Sequence, residues 1–217
     1  MKLKKIASLA LAGIMAVSML AGCATTNDNG DDGNNGKPPV IDETPTSYSQ
    51  TILDGVGSGV KSMMTAKDSD MLSDAVVAAG ASVNEADDIH ELIKIGKSSL
   101  QIVNYKNRVG HMVVDGFGDN LAEDVDLLRC SFKGNDLDVT KNGRYAALYV
   151  CDTGMNETQM NNAISDAVSA IMKNHHDHLN ATDIDYTLSV AKAQVGTRAN
   201  GVVLVGVMIE VTLTHAA

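Results

Sequence analysis

Residues 183–214 read DIDYTLSVAKAQVGTRANGVVLVGVMIEVTLT, and their periodicity decides the fold. Tyr186, Leu188 and Val190 alternate with Thr187 and Ser189, the period-two pattern of a strand with one buried face. A loop follows that holds Gly196 and the turn-prone Asn200-Gly201 pair. Beyond it the chain is apolar on both faces until alternation sets in at Glu210, and such a strand is covered on both sides and sits inside a sheet. The two runs form an antiparallel hairpin whose second strand is central.

Working outward, residues 155–179 read MNETQMNNAISDAVSAIMKNHHDHL. Met160, Ala163, Ile164, Ala167, Val168, Ile171 and Met172 recur at helical spacing and make one apolar stripe. Asn156 with Gln159 three positions on matches a capping box. This predicts an amphipathic helix of about five turns lying on the sheet. Arg144 to Cys151 (RYAALYVC) predicts a third strand and Arg108 to Val114 (RVGHMVV) a fourth. Upstream, DSDMLSDAVVAAG and NEADDIHELIKIGKSSLQIV carry helical periodicity, with Asp68 or Ser69 and Asn84 as N-caps. Asn120 to Cys130 predicts another short helix. Helices that cluster first, then strands interleaved with one long helix, imply an α+β fold. The expected form is a two-layer sandwich: one domain over residues 48–217, with a largely antiparallel sheet of about four strands packed against amphipathic helices.

The N-terminus carries a different signal. Lys2, Lys4 and Lys5 precede an uncharged apolar run from Ile6 to Leu20, the n-region and h-region of a signal peptide over residues 1–22. The run is too short for a comfortable membrane span of roughly 20 apolar residues. Leu20-Ala21-Gly22-Cys23 directly after it resembles the lipobox of bacterial lipoproteins. The resemblance implies that the Cys23 sulfur takes a diacylglycerol and becomes the mature N-terminus on the outer face of the cell membrane, held by at least two acyl chains, enough for stable anchoring. Residues 24–47 are dominated by Asn, Asp, Gly, Thr and Pro with no apolar period, so they bury too little surface to offset the entropy of ordering and read as a flexible linker. The leader, this linker, the helix AISDAVSAIM and the hairpin together resemble a group of small uncharacterised lipoproteins of gut clostridia, and that resemblance brings no activity with it.

Composition narrows the partners. Without the leader, 14 Lys and Arg face 27 Asp and Glu, a net charge of −13, which disfavours nucleic acid and anionic lipid. With no Trp, two Phe and five Tyr, the core must be aliphatic, and carbohydrate binding on stacked aromatic platforms is disfavoured.

Candidate chemistry is sparse. Cys130 and Cys151 either form a disulfide, closing a loop worth roughly 3 kcal/mol, or stand as two buried thiols. His175 and His178, three apart on a helix, can turn two imidazoles to one side, but zinc takes three or four ligands and no H-E-x-x-H motif is present. Positive charge near a helix C-terminus gives that cluster a structural reason as well. Residues 55–64, GVGSGVKSMM, fail as a P-loop because Val60 separates Gly59 from Lys61. Asp136 with Asp138 and Asp183 with Asp185 are paired carboxylates at strand starts, where solvation explains them. Met160, Met172 and Met208 fall on apolar faces as core filler. No cofactor and no catalytic residue is expected. The leading expectation is a membrane-anchored cell-surface domain that binds an envelope protein or a small ligand. The rival is an envelope hydrolase, with or without a metal, built on His175 and His178 with His111 and Asp115 or Asp119 as acid or base.

Overall fold

The computed structural model describes residues 47–83, 85–128, 137–173 and 184–214. In chain order the elements are α1 Tyr48–Gly55, α2 Ser58–Lys61, β1 Met64–Ala66, α3 Asp70–Ala81, α4 Ala86–Gly96, β2 Gln101–Ile102, α5 Arg108–Gly118, β3 Val125–Leu127, β4 Gly143–Asp152, α6 Glu157–Lys173, β5 Ile184–Gly196 and β6 Gly201–Leu213. Together they make an α+β fold around one mixed sheet, ordered β1-β5-β6-β4-β2, with β3 pairing β4 beside β2. Three of the expected four strands form, as β4, β5 and β6, the stretch 108–114 being helical, and the sheet gains β1, β2 and β3, which span two or three residues each and are too short to show a period.

The hairpin forms as the sequence predicts. β5 and β6 pair antiparallel from Ile184↔Leu213 to Gly196↔Gly201, and β6 lies between β5 and β4. Gly196 closes the hairpin at φ +81°, where an added Cβ would meet the Asn200 carbonyl oxygen at 2.7 Å, so only glycine fits there without strain. Thr197 and Asn200 then exchange backbone hydrogen bonds of 3.2 Å across the loop.

Because β6 is apolar on both faces, both faces are covered. On the first, Val205, Val207, Ile209 and Val211 pack with Ile52 and Leu53 of α1 and with Met160, Ile164, Val168, Ile171 and Met172 of α6. On the second, Val202, Leu204 and Met208 pack with Leu72, Val76 and Ala79 of α3, Leu92 of α4 and Val113 and Phe117 of α5. The expected two-layer sandwich is therefore corrected to three layers: helices, sheet, helices. The doubly apolar strand already demanded this, since a two-layer arrangement leaves one of its faces in water. Gly206 sets the spacing of the second interface: a Cβ there would stand 2.5 Å from Val76 Cγ2.

α6 begins as a capping box: the Gln159 N–H donates to Asn156 Oδ1 at 2.9 Å and the Asn156 N–H to Gln159 Oε1 at 3.3 Å. Ser69 caps α3, its hydroxyl accepting the Leu72 N–H at 3.2 Å. α4 starts from Glu85 without a side-chain cap, and Asn84 lies outside the described residues. Two local expectations are overturned. Residues 108–114 are helical within α5, not a strand: Asn107 accepts the Gly110 N–H at 2.7 Å, and Val109, Val113, Val114 and Phe117 form a buried stripe at helical spacing. Between Asn120 and Leu128 the chain supplies β3, not a helix, parallel to β4 through Val125↔Arg144 and Leu127↔Ala146. The Arg144 guanidinium clamps Asp124 in a two-oxygen ion pair at its start. No helix among the described residues is long and apolar enough to cross a membrane.

Candidate functional site

Among the described residues, those singled out from sequence do not assemble into one catalytic centre. Cys23, Cys130, His175, His178, Asp136 and Asp183 lie outside the described residues. Cys151 is fully buried in the first core and has no disulfide partner among the described residues. Burial, then the Asp152 carboxylate, pushes its pKa up to about 11 against the pull of Lys192, the opposite of what a nucleophilic cysteine needs. His111, Asp115 and Asp119 are exposed along α5, with the His111 ring edge-on to Tyr105 at 4.8 Å. α5 covers the second face of the sheet and α6, the helix preceding His175 and His178 in sequence, covers the first. Among the described residues no three His, Cys, Asp or Glu side chains are grouped closely enough to hold a metal.

The best-formed cavity among the described residues has a volume of about 10 Å³ and opens where β2 and β3 part along β4, lined by Val103, Val114, Phe117, Leu127 and Leu148 among others. That is room for about one water, whereas small-molecule pockets run to roughly 300–1,000 Å³.

Two features that sequence reading passed over lie together on the first face, at β5. Tyr48 donates its hydroxyl to Asn161 Oδ1 at 3.0 Å, and Lys192 of β5 lies 4.3 Å from the centre of its ring. The Lys192 ammonium is also paired with Glu157 at 2.7 Å. Burial, then Glu157, then Cys151, raises the pKa of the Tyr48 hydroxyl, which keeps it protonated as a donor. These contacts bind the start of α1, the start of α6 and the outer strand into one corner. The cue was Lys192 interrupting the run SVAKAQV, a charge on the same side as Leu188 and Val190.

The second feature is the edge of β5. Lys67 donates its N–H to the Leu188 carbonyl at 2.9 Å, so even-numbered residues of β5 turn their backbone groups outward. The Val190 N–H donates to Ser49 Oγ at 2.9 Å, and Ser49 in turn donates its own N–H to Asp68 at 3.0 Å. Past Val190 this closure stops. Lys192 and Gln194 face outward with no hydrogen bond on that side among the described residues, while Gln194 Nε2 donates to the Gly196 carbonyl at 3.3 Å. No protein-family model, no curated protein and no solved structure matches this chain.

Proposed function

We propose that the chain is a lipid-anchored protein of the bacterial cell surface whose folded domain binds another envelope protein without catalysing a reaction. One observation carries this reading: an uncharged apolar run that ends at Leu20-Ala21-Gly22-Cys23 and is followed at once by Asn, Asp and Gly. Cleavage before Cys23 and acylation of its sulfur account for both the small residues at the cut and the abrupt reversal of polarity. The Ser47 cap of α1, whose hydroxyl accepts the Gln50 N–H at 3.0 Å, supports a domain that begins where the polar segment ends. A protein partner is favoured over a small ligand because the cavity described above holds about one water. The net charge of −13 on the chain from Cys23 makes a neutral or cationic surface the natural counterpart.

The test is mass spectrometry of the native protein together with membrane fractionation. The expected result is a chain that starts at Cys23, carries acyl mass there and sediments with membranes. An intact leader or an unmodified thiol at Cys23 defeats the reading.

A further inference from the structure

The geometry points to the edge of β5 at Lys192 and Gln194, open among the described residues, as the place where an extended cationic segment of a partner protein adds to the sheet as a further strand; this rests on the domain being a binding module. A sheet edge with unpaired backbone groups is a template for another chain, and strand addition takes its affinity from main-chain hydrogen bonds and its selectivity from alternate side chains. Here the neighbouring stretch is already closed, by β1 at Tyr186 to Leu188 and by Ser49 at Val190. The outward N–H and C=O groups of Lys192 and Gln194 form the continuation.

The devices that protect an edge are turned away from this one. Lys192, a residue that commonly guards an edge by projecting charge past it, is folded onto the Tyr48 ring and neutralised by Glu157. On the opposite side of the strand Ala191 and Ala193 pack against the second core while staying partly exposed, leaving a low shelf for apolar side chains. The incoming strand therefore sets apolar residues over that shelf and cationic ones on the other face, where the exposed Glu157 carboxylate lies beside Lys192.

Charge selects the occupant. Two copies of a domain whose residues 48–217 hold 22 Asp and Glu against 13 Lys and Arg, a net charge of −9, repel, which disfavours symmetric β5–β5 pairing, while Asp68, Asp70 and Asp74 stand exposed at the start of α3 near the closed part of the edge.

The experiment uses the full chain in mild detergent and a capped hexapeptide of alternating Val and Lys, followed by amide hydrogen exchange. The expected result is fast exchange at Lys192 and Gln194 in the free protein and slowing of roughly tenfold or more with peptide. The same peptide N-methylated at alternate residues keeps its charge but cannot pair, and leaves those amides fast. Gln194→Pro removes one outward N–H and abolishes the slowing while β6 amides stay protected; if that variant does not fold, the methylated peptide decides. Equal effects from both peptides reduce the interaction to bulk electrostatics and overturn the proposal. So does protection of Lys192 and Gln194 in the free chain, whether concentration-dependent through pairing of copies or concentration-independent through the chain's own residues. Failure here with Cys23 acylated leaves the anchored binding module standing without this edge.

Discussion

Gly206→Ala tests the three-layer architecture directly. An added Cβ stands 2.5 Å from Val76 Cγ2, 3.1 Å from Leu72 Cδ1 and 3.3 Å from Phe117 Cε2. Ordinary contact begins near 3.4 Å, so the Val76 methyl is too close by about 1 Å. All three neighbours are fully buried and have no solvent to withdraw into. Overpacking a closed core in this way costs about 1–3 kcal/mol, which in a domain of this size lowers Tm by about 2–12 °C at roughly 2–4 °C per kcal/mol. Val76→Ala alone removes two carbons from the same interface and costs about 2 kcal/mol. The double variant puts the new methyl into the space the valine leaves, so its loss falls short of the sum of the single losses by at least ~0.5 kcal/mol. Thermal melts and urea titrations of the four proteins read the cycle. A neutral Gly206→Ala, or losses that simply add, would mean that α3 does not lie on this face, and the second core would have to be redrawn.

The buried Tyr186 hydroxyl has no hydrogen-bond partner among the described residues, so Tyr186→Phe is expected to leave stability unchanged or raise it by about 1 kcal/mol in a urea titration; a loss of that size would reveal a bond to a residue outside them. Asp88 is 1 % exposed and is held by the Arg108 guanidinium across α4 and α5. Arg108→Ala is expected to cost about 1–3 kcal/mol by leaving that carboxylate unpaired, and Asp88→Asn in the same chain to recover part of it; no recovery would deny the pair a structural role. The Cys151 thiol, raised in the folded state to about 11 from 9.0, releases its proton more readily when unfolded. The stability this contributes is complete below pH 9 and lost as pH rises toward 11. The alkaline fall in Tm should flatten over that window in Cys151→Ala, and an unchanged slope would rule the thiol out as its source.

The sequence legible at long range was the doubly apolar strand, the hairpin, and α6 with its Asn156–Gln159 box, because each repeats one period over many residues. What escaped was set by few residues or by contacts distant in sequence. β1 forms where Met64 to Ala66 meet Tyr186 to Leu188, a pairing no local pattern announces. The start of α5 reads as a strand because three of the seven residues 108–114 are the β-branched Val109, Val113 and Val114, while the helical period is plain only when Phe117 is included. The corner at Lys192 was missed for a related reason: Tyr48, Glu157 and Lys192 are far apart in the chain and each alone is an ordinary surface residue. Catalytic and metal-binding motifs, which are local, were legible mainly by being incomplete.

The proposed anchor and the proposed sheet edge explain each other's weakness. An edge that offers the backbone groups of Lys192 and Gln194 forms only a few hydrogen bonds, each contributing about 0.5–1.5 kcal/mol net, too little for a tight complex between freely diffusing partners. If residues 24–47 are the linker their composition predicts, the 24 residue steps from Cys23 to Ser47 reach at most about 85 Å when fully extended and about 25–30 Å root-mean-square. A partner bound to the same membrane is then met as a nearly intramolecular event, at an effective concentration that turns a weak edge into an occupied one. Cys23→Ala should therefore abolish co-purification with the partner from membranes, although the Lys192 and Gln194 amides of the isolated chain still respond to the Val-Lys peptide. If the unanchored variant retains the partner, the edge cannot be so weak, and the binding surface must be larger than β5.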